Sequence, residues 1–271
     1  MATIRELLLA AYARVDKVDA RVVLSHFTGK TKEFFIMHPE AEVADDVSQA
    51  FLQSLDRLES GCPVAYITGT RSFWGRDFHV TPAVLIPRPD TETLIETALA
   101  QCPAPKTVLD MGTGSGCIAI SLALEFAQAQ VLASDVSESA LEVARSNAET
   151  LGATNVTFVS SDWFAAFDDH RFDLIVSNPP YIEPDDSHLD NLTFEPIGAL
   201  TDTVDGLSDL RTIIEQAPEH LTAGGILMVE HGYNQGAAVR ELFEKAGFKK
   251  PETVKDLGEN DRITWAQLSR Y

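Results

Sequence analysis

A glycine-rich turn, Asp110-Met111-Gly112-Thr113-Gly114-Ser115-Gly116, most restricts how this chain can fold. It follows a short apolar run at 107–110 and precedes an apolar stretch with helical spacing at 118–126. Glycines at alternate positions permit a tight reversal and let the backbone come close to a ligand. A strand that turns at once into a helix opens a βαβ unit. Ligands of open α/β sheets bind beyond the carboxyl ends of the strands, where this turn sits.

The chain keeps the alternation. Strands are expected at 131–135, 156–160, 172–177 and 226–230, with helices at 138–151, 207–221 and 235–246, the last stopped by Gly247. Strands at 248–254 and 263–268 close the chain. This rhythm predicts an α/β fold with a doubly wound sheet. Before it, Ile4, Leu7, Leu8, Ala11, Val22, Val23, Phe27, Val47, Phe51, Leu52, Leu55 and Leu58 recur at helical spacing and predict a small helical bundle. Aromatic residues around Gly75, from Phe73 to Val80, read as a β-hairpin. Two prolines in Ile86-Pro87-Arg88-Pro89-Asp90 exclude a helix through that segment. Asp90 or Thr91 is expected to cap a helix starting near Glu92. The expected organisation is a helical domain over 1–65, a hairpin linker over 66–90 and an α/β domain over 91–271.

Asp135 lies at the end of the second α/β strand, nineteen residues after Gly116. A carboxylate there can accept both hydroxyl hydrogens of a ribose, so the ligand is expected to contain one. The glycine spacing is GxGxG and not the GxGxxG of dinucleotide sites. Asp110 ahead of the turn suits a ligand carrying a sulfonium and an ammonium better than a pyrophosphate. Asp162 and Trp163 follow the third strand and stand where they could flank an adenine.

Ser177-Asn178-Pro179-Pro180-Tyr181 follows the fourth strand, at the same edge. The prolines stiffen the turn and leave carbonyls free as acceptors. Asn178 adds a side-chain carbonyl and Tyr181 a flat face. A primary amide or exocyclic amine has two in-plane N–H groups, one for Asn178 and one for the Pro179 carbonyl. Its nitrogen is then aimed out of plane at an electrophile, so positioning does most of the work.

Acidic residues number 41 and basic ones 21, a formal charge of -20. Such a field repels a phosphate backbone, so direct nucleic-acid binding is not expected. Three scattered cysteines offer neither a disulfide framework nor a zinc site. The first residues lack a cleavable signal pattern, and the longest apolar run, at 117–127, is too short to span a bilayer. A cytoplasmic location without membrane attachment is expected.

These segments together resemble the HemK/PrmC family, the release factor glutamine methyltransferases. The likeness spans nearly the whole chain. It includes Leu85-Ile86-Pro87-Arg88-Pro89-Asp90-Thr91-Glu92, Asp110 to Gly116, Ser161-Asp162-Trp163-Phe164, Val176 to Ile182, Phe194-Glu195-Pro196 and Glu230-His231-Gly232. The NPPY turn also occurs in adenine and other nitrogen methyltransferases; the IPRPDTE segment joined to it is more specific. The resemblance implies a class I, Rossmann-like methyltransferase domain behind a helical N-terminal domain and hairpin linker. It implies S-adenosylmethionine held by Gly112, Thr113, Gly114, Ser115, Gly116, Asp135, Trp163 and Asn178. The implied acceptor is the glutamine of the Gly-Gly-Gln loop in class 1 peptide chain release factors, bound by Asn178, Pro179, Pro180 and Tyr181. Asn178, Pro179 and Tyr181 carry the implied catalytic roles. No metal is implied.

Other positions stay open at this level. Arg88 and Glu92 either shape the site mouth or support the hairpin. Glu195 is either a supporting group or a solvated loop carboxylate. His231 reads as structural, and Arg262 as paired with a carboxylate. Rival functions are glutamine methylation of a ribosomal protein, adenine methylation of nucleic acid, an inactive binding module and a nicotinamide dehydrogenase.

Overall fold

The computed structural model describes residues 1–269. Residues 270 and 271, the end of the domain expected over 91–271, lie outside the described residues. The chain divides into two compact units, Met1–Thr70 and Arg71–Tyr271.

The first unit is a helical bundle with a small clasp. Strands β1 (Ala2–Thr3) and β2 (Glu42–Val43) pair antiparallel. Helices α1 (Ile4–Tyr12), α2 (Lys17–Thr28), α3 (Lys32–Met37), α4 (Asp45–Glu59) and α5 (Val64–Thr68) surround one core. Thr3 and Glu6 form a reciprocal cap, each satisfying a backbone N–H of the other. Ile4, Leu7, Ala11, Val23, Phe51 and Leu55 are buried, whereas Leu52 is exposed. Phe51 and Leu55 stand one helical turn apart, and Leu52 falls outside that stripe.

The second unit opens within a hairpin of β3 (Thr70–Phe73) and β4 (Arg76–His79). Trp74 and Gly75 both take positive φ, 50° and 68°, the geometry of a two-residue turn matched to strand twist. Phe73 and Phe78 sit fully inside the core of this unit. A 3-10 turn, Pro89–Thr91, leads into α6 (Glu92–Gln101). Thr91 is itself in right-handed helical conformation and makes no side-chain cap, contrary to the expectation from sequence. Proline at the first position of that turn loses nothing, because its missing N–H has no partner there anyway.

The sheet follows with β5 (Thr107–Met111), α7 (Cys117–Glu125), β6 (Gln130–Asp135), α8 (Glu138–Leu151), β7 (Val156–Ser160), β8 (Phe172–Ser177), α9 (Ser208–His220), β9 (Leu221–Glu230), α10 (Gly236–Lys245), β10 (Glu252–Lys255) and β11 (Asp261–Gln267). Strand order is β10-β11-β9-β8-β5-β6-β7. The run from β9 to β7 is parallel, and β11 lies antiparallel between β9 and β10. The chain builds outward from β5 to β7, then returns to β8 on the other side of β5. That reversal opens a crevice above the ends of β5 and β8. Neighbouring strand residues serve opposite faces: Val108 and Leu174 join one apolar cluster, Leu109 and Ile175 the other.

Two boundaries differ from expectation. Strand β9 begins at Leu221, the last residue of the helix expected over 207–221, and not at 226. The strand expected over 248–254 shrinks to β10, because Lys250 takes φ 52° ahead of Pro251 and breaks the extended run. Phe248 is buried in the core instead.

Candidate functional site

A cavity of about 370 Å³ lies at the reversal point of the sheet. Its floor comes from Gly112, Gly114, Ser134 and Asp135, and one wall from Asp162, Trp163, Asn178 and Pro180. The opposite wall is Ala83, Val84 and Leu85 with Pro196, Gly198 and Ala199. Of the positions expected in the site, Thr113, Ser115, Gly116, Pro179 and Tyr181 are not among its lining residues.

Asp110 explains how the glycine turn is held. It ends β5 wholly buried, and one oxygen, Oδ2, receives both the Thr113 hydroxyl at 2.7 Å and the Ala119 N–H at 3.1 Å. That second bond takes up a free donor of the α7 N-terminus. Oδ1 has no hydrogen-bond partner. Burial pushes the Asp110 carboxyl up to about 7, against the two donors. Thr113 therefore turns inward and serves the turn. Gly116 is required by packing: its φ is 81°, and a Cβ there would meet Ile120 at 2.8 Å and Ala144 at 3.1 Å.

Asp135 faces the cavity from the end of β6. Its Oδ2 accepts the Gly114 N–H and its Oδ1 the Ser137 N–H, each at 2.9 Å. A carboxylate oxygen has two acceptor positions, so both oxygens keep one for a ligand. Burial raises its pKa, with the backbone donors acting the other way. Trp163 holds φ 44°, uncommon for a bulky residue, and the Ser161 hydroxyl bonds its carbonyl at 2.9 Å. Asp209, not expected from sequence, is a further lining residue.

The Asn178 turn is braced from behind. Asn178 Nδ2 donates to the Thr91 hydroxyl at 3.4 Å. The Tyr181 hydroxyl donates to buried Glu230 at 3.1 Å, and its ring packs against the apolar cluster of that face. Gln235 donates to the Tyr181 carbonyl at 3.0 Å and to the Gly206 carbonyl at 3.1 Å.

The open alternatives resolve. Glu195 is buried; it accepts the Ile86 N–H at 3.0 Å and pairs with Arg88 at 2.5 Å. This clasp joins the segments that form the far cavity wall. Glu92 accepts the Trp74 N–H at 2.8 Å and so supports the hairpin. His231 is buried with both ring nitrogens engaged, by the Gly232 carbonyl and the Thr264 hydroxyl. Arg262 pairs with Asp256 at 3.0 Å and reaches Asp90 at 3.6 Å.

The cavity wall carries Asp135, Asp162 and Asp209 and no Lys or Arg. A pyrophosphate would be repelled there, whereas a nucleoside bearing a sulfonium and an ammonium fits both the charge and the size. Among the described residues no group of three or more His, Cys, Asp or Glu is placed to hold a metal ion. No helix there is long and apolar enough to cross a membrane.

The sheet order and the acidic cavity at its reversal point define a class I methyltransferase, and residues 104–267 match the methyltransferase domain model. Solved structures share the fold. A methyltransferase from Pyrococcus furiosus aligns with TM-score 0.56 and 21% identity over 80% of this chain and 98% of its own. The 16S rRNA N2 G1207 methyltransferase of T. thermophilus, in complex with AdoMet and guanosine, aligns with TM-score 0.55 and 20% identity over 73% and 49%. Residues 1–69 match the PrmC N-terminal domain. The chain is 43% identical to the release factor glutamine methyltransferase of Escherichia coli (strain K12), over 93% of this chain and 91% of that one. It is 44% identical to the Neisseria gonorrhoeae enzyme of the same name, over 96% of each. This chain belongs to the release factor glutamine methyltransferase family.

Proposed function

We propose that this protein transfers a methyl group from S-adenosylmethionine to the side-chain amide nitrogen of the glutamine in the Gly-Gly-Gln loop of class 1 peptide chain release factors, in the cytoplasm. The observation that carries the reading is the opening of Asn178 and Pro180 into the same acidic cavity as Gly112, Gly114 and Asp135.

The cofactor supplies an electrophilic methyl on a positively charged sulfur. Asp135 receives the ribose hydroxyls on the lone pairs that Gly114 and Ser137 leave free. Trp163 and Asp162 flank the adenine. Gly112 and Gly114 admit the ligand close to the backbone, while Thr113, Ser115 and Gly116 keep the turn in shape. At the acceptor, Asn178 Oδ1 and the Pro179 carbonyl each take one N–H of the glutamine amide. The Tyr181 ring lies against the amide, and Pro180 keeps the turn rigid. An amide so held would present its nitrogen out of plane; with the cofactor bound, the N–C bond would form as the S–CH3 bond breaks, S-adenosylhomocysteine would be the leaving group, and the nitrogen's surplus proton would pass to solvent. No strong base is needed before transfer, so orientation and the polar surroundings supply the rate. Residues 1–65 act as a release-factor positioning module, 66–90 as a linker and 91–271 as the catalytic domain.

The test is methyl transfer from labelled S-adenosylmethionine to an unmethylated release factor, beside its Gln→Ala loop variant and an adenine-containing DNA. Label on the unaltered release factor alone, lost with Asn178→Ala in a folded protein, is the expected result. Label on DNA, or near-normal turnover by Asn178→Ala, overturns the reading.

A further inference from the structure

One buried amide takes no part in the chemistry above. Asn147 lies on α8 at 2% exposure. The glycine turn packs closely on that helix: a Cβ on Gly116 would meet Ala144, one turn before Asn147, at 3.1 Å. From there Asn147 binds two separate parts of the chain. Its Nδ2 donates to the Ser115 carbonyl and to the His79 carbonyl, each at 2.9 Å. Its Oδ1 accepts the His79 N–H at 2.7 Å.

These bonds permit one orientation only. An N–H can only donate and a carbonyl can only accept, so a reversed amide would set its NH2 against the His79 N–H. Ser115 and His79 serve different sides of the cavity. The Ser115 carbonyl belongs to the peptide that leaves the glycine turn. The N–H of the same peptide, on Gly116, donates to the Thr113 carbonyl at 2.8 Å. Both poles of that peptide are engaged, which holds the exit of a turn whose Gly112, Gly114 and Gly116 are otherwise free to take many shapes.

His79 ends β4, and the far wall of the cavity begins at Ala83. The link between them is short and closed on itself. Val80 is buried, and Thr81 accepts the Ala83 N–H on its hydroxyl at 3.2 Å and the Val84 N–H on its carbonyl at 3.1 Å. A shift of His79 is therefore passed on to Ala83 and Val84.

We propose that Asn147 is a positioning residue for the cofactor: one side-chain amide holds the glycine turn and the Ala83–Leu85 wall at a fixed separation and so sets the width of the cofactor cavity. The inference rests on the cofactor placement given above. Packing α8 against the turn needs only an apolar side chain. A buried amide is favourable only with its bonds made, and these bonds go to the floor and to the root of the far wall.

The test is calorimetric binding of S-adenosylhomocysteine to the full chain, in wild type, Asn147→Asp, Asn147→Ala and Phe243→Leu. Asn147→Asp matches asparagine in size and still accepts the His79 N–H, but its carboxylate has no hydrogen to give and sets an oxygen against the Ser115 carbonyl. Phe243, fully buried in α10 and not among the lining residues, supplies a variant with a lowered urea midpoint and an untouched turn. The Kd is expected to rise about tenfold or more in both Asn147 variants and to stay within about twofold of wild type in Phe243→Leu. With the release factor as acceptor, KM for S-adenosylmethionine rises in step. The kcat at saturating cofactor stays within about threefold, because none of the three Asn147 bonds reaches the Asn178 turn. In nitrogen-15-labelled wild type, hydrogen exchange of the Asn147 side-chain NH2 slows about tenfold or more at S-adenosylhomocysteine near 100 times its Kd, since opening those bonds releases the ligand. Wild-type affinity in a folded Asn147 variant overturns the proposal. So does a loss in Phe243→Leu that matches theirs at an equal fall in midpoint. Should neither Asn147 variant fold, an exchange rate unchanged by the ligand overturns it. A wild type that does not bind S-adenosylhomocysteine overturns the cofactor placement and this inference with it; binding by wild type with unaltered variants overturns the inference alone.

Discussion

Replacing Asp110 with asparagine tests how the glycine turn is held, because the structure fixes both terms of the change. Asp110 is wholly buried, and burial pushes its carboxyl from an ordinary 3.8 up to about 7. The folded protein therefore keeps a proton that the unfolded chain gives up near pH 4. Stability from this group is complete below about pH 4 and falls as pH climbs through about 7. At about 1.4 kcal/mol per unit, the stretch from pH 5.5 to 7 removes about 2 kcal/mol from the wild type. An amide in its place does not titrate, so the variant loses none of it. Thr113 and Ala119 both donate to Oδ2, and one amide oxygen in that place serves both. The NH2 group falls where Oδ1 now has no partner. That unmet donor costs about 1–3 kcal/mol at every pH and cancels from the comparison. Urea unfolding of both proteins, followed by tryptophan fluorescence, should show Asp110→Asn gaining about 2 kcal/mol on wild type between pH 5.5 and 8. Glu230 titrates in both proteins and drops out. A gap that stays constant within about 0.5 kcal/mol, or moves the other way, refutes the reasoning.

Two further substitutions probe the scaffold of the site. Gly206 sits at φ 71°, and a Cβ there would meet the Tyr181 carbonyl oxygen at 2.7 Å. Gly206→Ala should destabilise the fold by about 1–3 kcal/mol and lower methyl transfer more than S-adenosylhomocysteine affinity; equal loss of both would deny a specific effect on the Asn178 turn. Arg88→Met leaves the buried Glu195 carboxylate with the Ile86 N–H alone. Arg88 is itself a third exposed, so a loss of about 2–3 kcal/mol in urea unfolding is expected, and a change within about 0.5 kcal/mol would show that the pair holds nothing.

Much of this arrangement is legible in the chain because it is local. The strand, the glycine turn and the helix follow one another within twenty residues, and Asp135 stands one βα unit further on. Spacing does not say which way each side chain of a turn faces, so it cannot tell Thr113 and Ser115 from Gly112 and Gly114. Thr91 suits a helix cap by its type and place. The 3-10 turn from Pro89 puts it in helical conformation and frees its hydroxyl for Asn178. The far wall is not legible at all. Ala83, Val84, Leu85, Gly198 and Ala199 bear no functional group, and they meet across more than a hundred residues of chain. Glu195 gives a signal only as a carboxylate between Phe194 and Pro196; its burial is a property of the tertiary fold.

The Arg88–Glu195 clasp has a consequence during synthesis. Its partners are 107 residues apart in the chain. At about 5–20 residues per second, a ribosome needs roughly 5–20 s to pass from one to the other. By the end of that interval the glycine turn, Asp135 and Trp163 have been made, yet only the Ala83–Leu85 side of the far wall stands beside them. The cavity's remaining lining, Pro196, Gly198, Ala199 and Asp209, follows only after Glu195. The complete cavity wall therefore exists only after about three quarters of the chain has been made.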